Sequence, residues 1–138
     1  MRAMEISRSG LDVEWQRLQV VAQNLANMNT SRTSSGEPFR PLRLLSAPAG
    51  DFSRMLDRGA AQGVRVVGVE QAPGALRRVY EPGHPHADAD GFVTYPDLDQ
   101  AAEMTLMIKA SRSYEANLTA MNMAHQMYSR ALELGRQS

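Results

Sequence analysis

The sequence predicts a mainly α-helical protein with a small β insertion, an α+β chain with one long helix at each end. Apolar residues recur at alternating spacings of four and three near both ends of the chain, but not in its middle. Such a period places one narrow apolar stripe on a helix and is typical of helices that pack side by side. The middle holds short apolar bursts separated by glycine and proline, as short strands do. We therefore expect the terminal helices to form an antiparallel coiled-coil-like pair that carries a short-stranded β module.

The first helix is predicted over residues 3–29. It ends at Asn27 and Asn29, whose side chains compete for backbone hydrogen bonds. Gly10 is the weak position inside it, because glycine is a poor helix former. Its apolar stripe consists of Leu11, Trp15, Leu18, Ala22 and Leu25.

The middle of the chain predicts a small β module. Bursts at 64–69, 76–80 and 92–95 are rich in β-branched and aromatic residues, and prolines and glycines separate them. Three or four strands in about 55 residues are marginal alone, so the module is expected to lean on the helices. The predicted organisation is a helical unit of residues 1–30 and 97–138, with residues 31–96 as the insertion.

The last helix is predicted over residues 97–135, with Asp97 or Asp99 as its N-cap and Gly135 as its terminator. It would measure roughly 57 Å against roughly 40 Å for the first helix, which leaves about 17 Å unpaired. The β module joins the end of one helix to the start of the other, so the helices should run antiparallel. The stripe of the last helix consists of Met104, Met107, Ser111, Tyr114, Leu118, Met121, His125, Tyr128 and Leu132.

Each helix also carries a second apolar flank, at Val13, Val20 and Val21 in the first and at Leu106, Ile108 and Ala120 in the last. One partner helix cannot cover both sides, so the remaining apolar surface is expected to need other copies or other subunits. The predicted assembly seam is Leu11, Trp15, Leu18, Ala22, Leu25, Met104, Met107, Tyr114, Leu118, Met121, Tyr128 and Leu132.

Composition excludes several function classes. Fifteen basic and fifteen acidic residues cancel, so no global field draws the chain to nucleic acid. The absence of cysteine excludes disulfides, thiolate zinc sites and a cysteine nucleophile. Charges interrupt the first twenty residues, so we expect no cleaved signal peptide. No phosphate-binding glycine loop or catalytic triad can be drawn, which leaves no catalytic residues, no cofactor and no small-molecule substrate.

The most tempting ligand site runs from His84 to Asp97. Aligned on Gly91, it resembles a calcium loop with Asp88 and Asp90 in the third and fifth positions, but a histidine stands in the first. The two histidines at 84 and 86 supply only two zinc ligands. We expect a polar turn without a metal, and a divalent-metal binding module remains an alternative.

Three stretches resemble the bacterial flagellar rod, hook and hook-associated proteins. Residues 24–30, Asn-Leu-Ala-Asn-Met-Asn-Thr, resemble their N-terminal signature, in which Asn-Leu-Ala-Asn ends the first helix. Residues 79–91 with Tyr95-Pro96 resemble the middle signature of proximal-rod members, and residues 103–104 and 110–117 resemble their C-terminal signature. The matched residues are Asn24, Leu25, Ala26, Asn27, Asn29, Thr30, Tyr80, Pro82, Gly83, His84, Pro85, Asp88, Asp90, Gly91, Tyr114, Glu115 and Asn117.

This resemblance implies a non-enzymatic structural subunit of the proximal rod, the part of the flagellar basal body that serves as drive shaft for motility. It implies delivery to the periplasm through the flagellar type III export apparatus. The implied partners are copies of the chain itself, other proximal and distal rod proteins and the basal-body adaptor protein. It also assigns the His-Pro and Asp-x-Asp-Gly elements to a loop without a metal. A soluble helical adaptor or export chaperone remains a further alternative, against which the β module argues.

Overall fold

The computed structural model describes residues 2–50, 62–74 and 76–136. Their elements follow in the order α1 (Arg2–Ala26), β1 (Leu42–Pro48), β2 (Val64–Gln71), β3 (Leu76–Tyr80), β4 (Phe92–Pro96) and α2 (Gln100–Arg136). The predicted class, two long terminal helices with a small β module between them, is confirmed.

Local side-chain hydrogen bonds set the helix ends. The Asp99 carboxylate accepts hydrogen bonds from the backbone N–H groups of Ala101 and Ala102, at 2.9 and 3.2 Å, so Asp99 rather than Asp97 is the N-cap of α2. At the end of α1, the Asn27 amide donates to the carbonyl of Gln23, at 2.9 Å. Gly135 was predicted to end the last helix, but α2 continues to Arg136.

The β module consists of two separate antiparallel hairpins. β1 pairs with β2 from Leu42 opposite Gln71 to Pro48 opposite Val64, with a β-bulge after Leu45. β3 pairs with β4 from residue 76 opposite 96 to residue 80 opposite 92. The three bursts predicted as strands are strands, whereas β1 has no β-branched residue and gave no strand signal.

The β1–β2 hairpin packs on one flank of α1. Val13 and Val20 form a buried cluster with Leu44, against which neighbouring strand residues pack. The hydroxyl oxygen of Ser9 accepts a hydrogen bond from the Val64 N–H, at 3.0 Å. This corrects the expectation that other subunits must cover this flank, because the chain's own hairpin covers it.

The two helices run antiparallel. Gly10 lies against Asn117, and the Asn24 amide reaches the Glu103 carboxylate at 3.2 Å, so residue numbers fall along α2 as they rise along α1. By this register α2 extends about ten residues, roughly 15 Å, beyond the start of α1. The overhang lies at the C-terminal end of α2.

Gly10 is buried where the helices approach each other closely. A Cβ atom at this position would lie 2.6 Å from the side-chain oxygen of Asn117, which is closer than two non-bonded atoms can approach without a shift of one of them. Asn117 is itself held by a hydrogen bond to the Ser113 carbonyl, at 2.9 Å. The low helix propensity of glycine is therefore tolerated for the sake of close helix packing.

Replacing Gly10 by leucine should destabilise the helix pair, because the added side chain must displace Asn117. Overpacking of this kind costs about 1–3 kcal/mol in free energy of unfolding. Urea denaturation of Gly10→Leu, followed by circular dichroism, measures the loss. Gln19→Leu, at an exposed position of the same helix, is the control and should change stability by about 0.5 kcal/mol or less. Equal effects of the two substitutions would contradict the close approach.

Candidate assembly interface

The side-chain amide of Asn24 joins three elements of the fold. Its nitrogen donates to the carbonyl of Leu42 on β1, at 2.9 Å, and to the carboxylate of Glu103 on α2, at 3.2 Å. Its oxygen accepts from the N–H of Leu42, at 2.8 Å. Asn24 is only 2% exposed, so these bonds satisfy a polar group that water cannot reach.

Asparagine suits this position because it both donates and accepts. An aspartate could not donate to the Leu42 carbonyl and would face the Glu103 carboxylate, whereas an apolar residue would leave both backbone groups of Leu42 without these partners. The first asparagine of the N-terminal signature therefore has a defined structural role. It fixes where the β module and α2 meet the end of α1.

The rest of this signature connects the end of α1 to the segments that follow. Thr30 donates its hydroxyl to the side-chain oxygen of Asn27, at 3.1 Å, and accepts the Phe39 N–H at its carbonyl, also at 3.1 Å. The Asn29 side-chain oxygen accepts from the guanidinium of Arg77 on β3, at 3.1 Å. The end of α1 thereby touches the second hairpin as well as the first.

The middle signature forms the loop between β3 and β4, and Asp88 organises it. One carboxylate oxygen accepts the N–H groups of Asp90 and Phe92, at 3.0 and 2.9 Å, and the other accepts from Arg78. The hydrogen bond from Phe92 is the main cause that lowers the pKa of Asp88, and Arg78 adds to it. Gly91 has a φ of +81°, a left-handed conformation that favours glycine.

Other signature residues hold the same loop in place. The His84 Nδ1 accepts the His86 N–H, at 3.0 Å, and the His86 Nδ1 shares a hydrogen bond with the Ser31 hydroxyl, at 2.8 Å. The Tyr95 hydroxyl donates to Glu81, at 2.8 Å, which raises the pKa of Tyr95. Within ranges 2–50, 62–74 and 76–136, no three His, Asp or Glu residues are grouped so that they could hold a metal ion. These contacts give the loop a structural role, and none of them favours the divalent-metal alternative.

A line of small and polar residues runs between the helices, and apolar periodicity in the sequence does not reveal it. Gly10 faces Asn117, Asn24 faces Glu103, and Arg17 lies beside Ala110, which is 1% exposed. Each helix repeats this line every seven residues, at positions 3, 10, 17 and 24 of α1 and at 103, 110, 117 and 124 of α2. A period of seven is typical of paired helices. These positions hold so few apolar residues, however, that the period is not visible as an apolar pattern in the sequence.

The predicted seam lies beside this line, on the side away from the β1–β2 hairpin. At 100° per residue, the stripe of α1 rotates to one side of the Gly10–Asn24 line, and Val13 and Val20 rotate to the other. Trp15 contacts Tyr114 of α2 with ring centroids 6.4 Å apart, and Leu11 and Met121 line the same groove. We call this side the open face; it consists of Leu11, Trp15, Leu18, Ala22 and Leu25 of α1 and Met104, Met107, Tyr114, Leu118 and Met121 of α2.

Much of the open face is accessible to solvent. Trp15 is 54% exposed, Met104 51% and Leu118 39%, whereas Leu11 is buried. The last two predicted seam residues, Tyr128 and Leu132, lie on the overhang of α2 and are 40% and 51% exposed. The structure thus brings the predicted stripes of α1 and α2 together along one side, and coverage by neighbouring subunits stays a prediction.

In the described part of the chain, neither helix has the length and apolar character needed to cross a membrane.

Comparison with known proteins extends this picture over nearly the whole chain. The family model "Flagella basal body rod protein" matches residues 4–32, which include most of α1 and its signature. A second, "Flagellar basal body rod FlgEFG protein C-terminal", matches residues 90–134, which include β4 and most of α2.

Curated relatives carry the same assignment. The flagellar basal-body rod protein FlgC of Borreliella burgdorferi is 37% identical to this chain, over 96% of the chain and 95% of the relative. FlgC of Bacillus subtilis is 36% identical over 97% of both, and FlgC of Salmonella typhimurium 34% identical over 99% and 98%.

The chain therefore belongs to the flagellar basal-body rod proteins, a class of structural and non-enzymatic subunits. Within that class it belongs to the FlgC family. It is accordingly a structural subunit of the flagellar basal-body rod, where its relatives also reside. Neither the metal-binding nor the chaperone alternative gains support from these relatives.

Replacing Asn24 by alanine should lower the free energy of unfolding by about 2–4 kcal/mol, because each buried polar group left unpaired costs about 1–3 kcal/mol. Gln23→Ala, at the adjacent exposed position, is the control and should be nearly neutral. Chemical denaturation of both variants measures the difference. A loss for Asn24→Ala no larger than that for Gln23→Ala would contradict the role of Asn24 in joining α1, β1 and α2.

The Asp88 contacts should weaken in acid. The folded state lowers the pKa of Asp88. The stabilisation that its ionised carboxylate gives the folded state is therefore complete above the ordinary pKa of about 4, and is lost as the pH falls through the lowered pKa. The Phe92 amide resonance, followed by NMR, should titrate with a midpoint below about 4. Asp88→Asn should abolish that titration and Asp90→Asn should retain it. A midpoint at or above the ordinary value would contradict the assignment.

Proposed function

We propose that this subunit builds the wall of the rod through its open face, which neighbouring subunits cover. The supporting observation is the exposure of large apolar side chains along both helices, Trp15 and Leu118 among them. Monomers rarely leave so extended an apolar surface in water, and such surfaces mark protein interfaces. In the assembled rod the terminal helices of adjacent subunits form a coiled-coil-like layer.

The accessible surface of the isolated chain supports this proposal. It amounts to 9778 Å² for a mass of 15.2 kDa. A compact monomer of this mass exposes about 7,100 Å², so the excess is about 2,700 Å². Obligate interfaces bury about 2,000–5,000 Å² counted over both partners, or about 1,000–2,500 Å² from each, which this excess can supply. The chain therefore has the surface of a subunit that completes its packing on assembly.

The mechanical role follows from many such contacts acting together. Each helix contact contributes only a few kcal/mol through burial and dispersion, but a rod repeats them in every subunit. A wall of this kind transmits torque from the membrane motor to the hook as a stiff proximal shaft. The proposed partners are copies of the chain, proximal and distal rod proteins and the basal-body adaptor protein, reached after type III export to the periplasm.

Replacing Leu118 by aspartate should block incorporation into the rod and abolish swimming, because the charge would be buried against a neighbour. Secretion into the periplasm and the circular dichroism of the purified variant should be unchanged. Leu118→Met keeps an apolar contact and Thr119→Asp places the same charge on the adjacent exposed position, so both variants should swim. Normal swimming of Leu118→Asp cells would disprove the role of the open face.

A further inference from the structure

The overhang of α2, residues 127–136, continues the surface on which α2 receives α1. Tyr128 and Ala131 follow Ala124 at spacings of four and three, the same period that brings Ala110, Asn117 and Ala124 to the α1 side. Leu132 lies next to them. Because α1 starts about ten residues short of this end, no helix of the chain covers these side chains among the described residues, and Tyr128 and Leu132 are 40% and 51% exposed.

Two of the three charges of the overhang, Arg130 and Glu133, lie on another side of the helix. At 100° per residue, Arg130 and Glu133 point about 160° and 140° away from the direction of Tyr128, whereas Arg136 points about 80° away. The side toward the α1 axis thus presents Tyr128, Ala131 and Leu132, with Arg136 at its edge one turn beyond Leu132. Such a surface suits an apolar helix stripe rather than a charged or extended segment.

The open-face stripe of α1 in another subunit has the required properties. It repeats at spacings of four and three, it is uncharged, and it keeps exposed positions at Trp15 and Ala22. The overhang is roughly 15 Å long, which accommodates about three turns of such a helix. Two overhangs that packed on each other would meet through a few apolar side chains only. That contact would join the same surface of both copies and would close into a dimer, whereas a rod needs contacts that propagate.

We propose that the overhang of one subunit receives the α1 stripe of a second copy of this chain, an inference that rests on the proposed rod function. The contact joins two different surfaces and is therefore heterologous. A heterologous contact leaves one free overhang and one free stripe at the two ends of every chain of subunits, so it propagates instead of closing into a dimer. The uncovered end of α2 is then the feature that makes copies add in one direction.

Cysteine cross-linking in basal bodies purified from swimming cells tests this contact, and the chain has no cysteine of its own. Leu132→Cys is combined, in separate double variants, with Trp15→Cys, Leu18→Cys or Ala22→Cys. A short bismaleimide is then applied to purified basal bodies, and this subunit is detected after denaturing electrophoresis. Leu132→Cys alone and Leu132→Cys with Gln16→Cys, which lies on an exposed side of α1 away from the stripe, are the controls.

At least one double variant on the stripe should give dimers and higher multimers of the subunit, and both controls should give none. Dimers from Leu132→Cys alone would overturn the proposal in favour of two overhangs packed together. Uncross-linked chains in all three double variants, or cross-links only to other rod proteins, would also overturn it. Because the cells swim, such a failure leaves the proposed role of the open face standing, whereas normal swimming of Leu118→Asp cells would disprove that role itself.

Discussion

The buried side-chain amide of Asn24 fixes the arrangement of the whole chain. It bonds both backbone groups of Leu42 and reaches Glu103, so the end of α1, the start of β1 and the first turns of α2 meet at one point. From there the helices run back together along a line of small and polar residues spaced by seven, with Gly10 against Asn117 near the far end. The contacts of Asn24 at one end and of Gly10 near the other determine the antiparallel register of the two helices. That register determines the overhang of α2.

In this register, three sides of α1 lie in different environments. The side of Val13 and Val20 is covered by the chain's own hairpin, and the side of Gly10 and Asn24 by α2. The third side, with Trp15 at 54% exposure, is the open face, which we propose that other subunits cover. A subunit that buries two sides internally keeps a defined shape, and one that exposes the third in a rigid frame presents a preorganised surface for assembly. The β3–β4 loop, stabilised by Asp88, completes that frame on the side of the second hairpin.

The sequence predicted the helices, three of the four strands and the open-face stripes, because apolar periodicity and turn residues are local signals. It could not predict the helix contact line, since Gly10 and Asn117 carry no apolar signal and their meaning depends on a partner 107 positions away. The flank of Val13 was assigned to other subunits because β1 lacks β-branched residues and was not recognised as a cover. The same holds for the loop that resembles a calcium site. Its sequence does not show that the Asp88 carboxylate accepts backbone N–H groups, and only the contacts in the structure reveal it.

The central claim is that neighbours complete the packing of a preformed helix pair. Electron cryomicroscopy of the intact basal body, at a resolution that shows side chains, tests it most directly. The account predicts that Asn24 remains within hydrogen-bond distance of Leu42, and that Trp15 and Leu118 are buried against adjacent subunits. An open face that points into solvent in the assembled rod would contradict the account, as would terminal helices that separate to pair with different subunits.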